Sequence, residues 1–223
     1  MTSPTVNDGS ARPLLTLGRL DRIRVQAGYR ASPEDPAHEQ FLLDLAVSDP
    51  PDVDERDPLD EHRILAALEP VLYLGAEAPR HYSVHQHRWH TSWGLSPAAL
   101  ELGLLVTTGS RTVAVAEAAH VSVVGAFRDL LALAGPPEPT PTPREAAILQ
   151  ARRSTATAFA VVPDELTIST EMHHPAENSW TVGLRTTAGE NFDAVVGLVD
   201  GYAGSVRIRH QERIEAFDSV GTT

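Results

Sequence analysis

Between residues 166 and 211, apolar and polar residues alternate with a period of two, interrupted at short intervals by turn formers. That period places successive side chains on opposite faces of an extended chain, so it demands strands with one apolar face. Four strands are expected, over 166–171, 180–187, 192–199 and 205–211. Trp180, Val182 and Leu184 share one face with Phe192, Ala194, Val196 and Leu198 and with Val206 and Ile208. Gly189 and Asp200-Gly201 occupy the turns. A sheet with one apolar face has to be covered. The helical pattern over 144–160 supplies the cover, which predicts a helix packed on a four-stranded antiparallel meander across 144–213.

The earlier part of the chain reads less uniformly. Residues 1–13 are polar, with Pro and Gly, and are expected to be a disordered tail, as are 214–223. A strand is expected over 22–29, with Ile23, Val25 and Ala27 on one face, and another over 41–47. Residues 48–61 carry seven acids and three prolines, the composition of a solvated loop. A short helix is expected over 60–74, with Ile64, Leu65 and Leu68 as its apolar stripe. Ser96-Pro97 has the form of a helix start, a serine cap followed by a proline at the first helical position. The small apolar residues that follow predict a helical hairpin over 97–134, broken near Thr107-Thr108-Gly109-Ser110. Residues 135–143, GPPEPTPTP, read as a linker of polyproline type. The expected organisation is therefore a 14–134 unit containing the hairpin, the 135–143 linker, and the 144–213 unit. The fold class is α+β: an N-terminal mixed α/β region, a central small-residue helical hairpin, and a C-terminal helix on its meander.

The run Val199-Asp200-Gly201-Tyr202-Ala203-Gly204-Ser205-Val206 resembles the V-D-x-x-T-G-x-V hairpin of the PepSY-like group, small cystatin-like domains of one helix on a β-meander. The resemblance covers about a third of the chain and implies regulation of a peptidase by contact. Around Trp93, Gly94 and Ser96, the segment HTSWGLSPAALELGLLV resembles effector-associated components of actinobacterial conflict systems. These are non-catalytic partners of peptidases and other effectors, so the likeness also implies a contact function.

Composition removes several chemistries. The chain has no cysteine, which excludes thiolate catalysis, disulfides and cysteine-type zinc sites. All eighteen basic residues are arginine, which excludes a Schiff-base lysine and the lysine of a phosphate-binding loop. A net charge of −12 opposes nucleic acid and anionic membranes. The nearest thing to a basic cluster is Arg207, Arg209 and Arg213. No apolar run is long enough for a transmembrane helix, and the N-terminus lacks the pattern of a signal peptide, so a cytoplasmic location is expected. No G-x-S-x-G or spaced metal-ligand motif occurs.

The segment HYSVHQHRWHTSWG, residues 81–94, holds four of the ten histidines and two of the three tryptophans, which marks it as the densest group of functional side chains. It alternates as a strand. His81, His85 and His87 share parity, and His85 and His87 would lie about 7 Å apart along one face, a spacing that can hold a divalent transition metal. A third or fourth ligand for such an ion could come from Glu171, His173, His174 or Glu177. Read as a contact surface instead, the segment offers Trp89, Trp93, Tyr82 and His90, since aromatic side chains dominate binding hot spots. The expected function is a non-catalytic adaptor or regulator with a protein partner and no cofactor. The alternatives are a metal-dependent or acid/base enzyme using residues 81–90, and a self-assembling homo-oligomeric subunit built through 97–134.

Overall fold

The computed structural model describes residues 20–47, 59–89, 99–135 and 140–211, so the expected tails fall outside it, as do Ser96-Pro97, His90 and Trp93. The strands are β1 (Arg22–Arg30), β2 (Glu39–Ala46), β3 (His81–Trp89), β4 (Ala99–Thr107), β5 (Thr167–His174), β6 (Ser179–Arg185), β7 (Asn191–Val196) and β8 (Ser205–Gln211). The helices are α1 (Glu61–Tyr73), α2 (Val113–Ala134) and α3 (Arg144–Phe159). All eight strands join one sheet in the order β3-β4-β1-β2-β8-β7-β6-β5. Every pairing is antiparallel except that of β1 with β4. The α+β class holds.

Two apolar clusters lie on opposite faces of this sheet. Phe41, Leu43 and Leu45 of β2 join Ile23, Val25, Ala27 and Tyr29 of β1 and Leu100, Leu102, Leu104 and Val106 of β4, beneath α1 and α2. Leu42 packs into the other cluster, with Val182 and Leu184 of β6, Phe192, Ala194 and Val196 of β7, and Val206 and Ile208 of β8. Phe41, Leu42 and Leu43 are consecutive, and neighbours on a strand point to opposite faces. Hence α1 and α2 cover one face of the first half-sheet, whereas α3 covers the opposite face of the second.

The helices form for local reasons. Asp60 caps α1 by accepting from the Arg63 backbone N–H at 2.9 Å, and Ile64, Leu68 and Val71 bury one stripe. α2 buries Ala119, Val123, Ala126, Phe127 and Leu130 at helical spacing. Each large side chain of this stripe contributes about 1.5–3 kcal/mol. α3 buries only Ala147, Ala151, Ser154 and Thr155, small residues that let its backbone approach β6, β7 and β8 closely.

The expectation of a helical hairpin over 97–134 is corrected. Residues 99–107 form the strand β4, and the only helix described in that span is α2. Leu100, Leu102, Leu104 and Val106 are buried in strict alternation, a period of two that Leu105 and the Ser96-Pro97 helix-start signal masked. Gly103 lies in β4, and Gly109 lies in the loop after it at φ 74°. The 144–213 meander forms with nearly the expected bounds, but β8 also pairs with β2, so the two halves share one sheet. Leu198 lies beyond β7 and packs on the first cluster, not on the meander's own face.

The segment 199–206 is the joint between the halves. Gly204 accepts from the Asp44 N–H at 2.9 Å, and the Tyr202 hydroxyl donates to the Asp44 carbonyl at 2.7 Å. The Ser205 hydroxyl accepts from the Val199 N–H and donates to the Tyr202 carbonyl, closing the turn on itself.

Candidate functional site

Strand β3 forms one edge of the sheet, and its two faces differ. Tyr82, Val84 and Gln86 share the face turned toward α1: the Gln86 amide donates to Glu61, and Val84 lines a groove with Leu65, Ala66, Leu68, Leu72 and Leu104. This groove has a volume of about 400 Å³. Tyr82 and Val84 are 49% and 47% exposed, and Leu65 on the facing turn of α1 is 36% exposed. An edge strand leaves half of its backbone N–H and C=O groups without a sheet partner, which makes it a template for another extended chain. The apolar strip beside that edge is the feature of β3 best suited to contact.

His81, His85 and His87 occupy the opposite face of β3, where they are exposed, in register with Thr107, Gly103 and Glu101 of β4. The further ligands expected from Glu171, His173 and His174 lie on β5, and Glu177 lies just beyond it. β5 is the other edge of the sheet, seven inter-strand steps or roughly 34 Å away. That combination is therefore corrected: the topology separates the two groups. Glu171 instead pairs with Arg144 of α3 at 2.6 Å, and this guanidinium holds its carboxyl below the usual carboxylate range. His173 stacks on Trp180 with ring centroids 4.4 Å apart, and His174 hydrogen-bonds Thr181 at 2.9 Å. Among the described residues, no group of three or more histidines and acids is placed to hold a metal ion. Trp89 ends β3.

A second cluster was not legible as a site from motifs. Cover by α1 and α2 ends at the seam between β2 and β8, and there the α2 side of the sheet changes character. Glu39 is in register with Arg209, and Phe41 with Arg207. Glu39 is only 1% exposed and accepts from the Arg207 Nε, with Arg209 at 3.4 Å. The Arg207 guanidinium lies over the Phe41 ring at 5.7 Å from its centroid, a cation–π geometry. His120, on the first half of α2, sits 6.2 Å from the same ring. Burial, then the charge of Arg207, holds its imidazole below the ordinary histidine range. His38 packs edge-on against Tyr29, 4.6 Å between centroids.

One signal for this cluster was present in the chain. Glu39 shares parity with Phe41, Leu43 and Leu45, so a strand through 39–46 forces a carboxylate onto an apolar face. Such a group must be paired, and only the tertiary structure shows that Arg207 and Arg209 do so.

No family model, curated protein or solved structure matches this chain. Among the described residues, no helix is long and apolar enough to cross a membrane.

Proposed function

We propose that the protein is a non-catalytic contact module that captures an extended segment of a partner protein along the outer edge of β3, the terminal strand among the described residues. The observation that carries this reading is the pairing of an edge strand with an exposed apolar strip. A bound segment would continue the sheet through backbone hydrogen bonds. Its alternate apolar side chains would enter the groove between Val84, Leu65 and Leu72. Tyr82 supplies an aromatic anchor at the groove's end, and Trp89, Trp93 and His90 extend the candidate contact set along the chain. The resemblance of 199–206 to the PepSY-like group supports a contact role of this kind. An adaptor or regulator of an effector in the cytoplasm is the biological form of the reading.

Selection from a displayed library of unstructured peptides tests it directly. Peptides with alternating apolar residues should be enriched on the wild-type protein. They should lose binding by about tenfold or more to Val84→Arg, which places a charge in the groove at a half-exposed position. Enrichment that ignores both Val84→Arg and Tyr82→Ala, in variants whose melting is unchanged, would remove β3 from the contact surface.

A further inference from the structure

We infer that the hollow between the first turns of α2 and the outer ends of β2 and β8 binds a small organic carboxylate. Arg207 and Arg209 would hold its anionic head, and its apolar body would lie along α2. The site is separate from the β3 edge, and the two proposals stand or fall independently.

The hollow has a volume of about 760 Å³, within the range of small-molecule sites. Its floor holds two guanidinium groups, Arg207 and Arg209, against one buried carboxylate, Glu39. Of the other acids nearby, Asp35 is paired with Arg111 at 3.1 Å, Glu117 stands at the exposed rim of α2, and Asp193 faces Arg209 across the β7–β8 pair. Two arginines on one floor stand out in a chain whose net charge is −12. Arg207 is also fixed in place, by Glu39 on one side and the Phe41 ring on the other, and a guanidinium held this way is pre-organised for a planar carboxylate.

The walls select for an apolar body. Val113 and Val121 line the mouth at 73% and 70% exposure, a large amount of apolar surface left in water beside a charged floor. His120 lines the wall between them, and its Nδ1 is buried without a hydrogen-bond partner. Burial and the neighbouring Arg207 favour the neutral ring, which adds to the apolar wall. A group that is anionic at one end and apolar along its length satisfies the floor, the histidine and the valines together.

The full chain should be titrated with sodium hexanoate, followed by thermal melting and by the His120 ring resonances. Hexanol and inorganic phosphate serve as controls. Hexanoate should saturate below about 10 mM and raise the melting midpoint. Its affinity should fall about tenfold in Arg209→Gln, whose side chain is half exposed and is not needed for folding. Val121→Glu, a surface change at the mouth, should weaken it as well. The proposal is overturned if hexanol binds as well as hexanoate, or if phosphate binds as well as hexanoate. No saturation by hexanoate, or binding unaffected by both substitutions, overturns it too.

Discussion

Glu39→Gln isolates the charge that ties the two halves of the sheet together. The amide keeps the shape of the side chain but removes the negative charge that faces Arg207 and Arg209. Breaking a fully buried ion pair by removing one partner costs about 3–5 kcal/mol. Here Glu39 is 1% exposed but the Arg207 side chain is 20% and that of Arg209 53% exposed, so both guanidiniums recover part of their hydration. The cost should therefore fall to about 2 kcal/mol, near the value of one charge-assisted hydrogen bond. For a domain of this size, about 2–4 °C of melting temperature accompanies each kcal/mol, so the midpoint should drop by roughly 4–8 °C. Urea unfolding followed by far-UV circular dichroism should show a lower midpoint with an unchanged slope. Arg209→Gln, which removes only the outer partner, should cost less than about 1 kcal/mol. A loss in Glu39→Gln below about 0.5 kcal/mol, or one no larger than that of Arg209→Gln, would refute the reasoning. It would mean that water, and not Arg207, satisfies the carboxylate.

Two further outcomes follow from the same contacts. His120 has a folded-state pKa lowered from 6.5 by burial and by Arg207 and Arg209, against the opposing pull of Glu39. The unfolded chain therefore binds a proton that the folded chain refuses, and stability should fall as pH drops from about 7 through the ordinary histidine range. His120→Gln should flatten that part of the urea-midpoint profile, and an unchanged slope would show that His120 does not titrate as a buried group. A Cβ on Gly204 would stand 2.4 Å from the Asp44 carbonyl oxygen and 2.6 Å from the Tyr202 ring. Gly204→Ala should thus destabilise by about 1–3 kcal/mol by forcing the joint apart, measurable as a lowered urea midpoint. A midpoint equal to that of wild type would mean the joint is loose in solution.

Much of the local structure was legible in the chain. The meander and α3 were readable because period-two alternation, turn residues and a helical pattern all agreed over 144–211. The stripe of Ile64, Leu65 and Leu68 marked α1, and alternation marked β1 and β3. The span 99–107 misled because Ser96-Pro97 read as a helix start and Leu105 interrupts the alternation of Leu100, Leu102, Leu104 and Val106, and burial on a sheet beneath two helices decided for the strand. At the candidate sites, parity correctly placed His81, His85 and His87 together on one face. It could not place Glu171, His173 and His174 at the far edge, because strand order is a property of long-range pairing.

What the sequence determined by itself is therefore most of the elements and the faces they bury, β4 and Leu198 excepted, since both follow from side-chain spacing along a single segment. The tertiary structure alone decided that β2 pairs with β8. That pairing merges the two halves, puts their helices on opposite faces, and sets Arg207 and Arg209 against Glu39 across 168 and 170 residues of chain. The physical reason is that a buried carboxylate requires a partner but carries no information about where in the chain that partner lies.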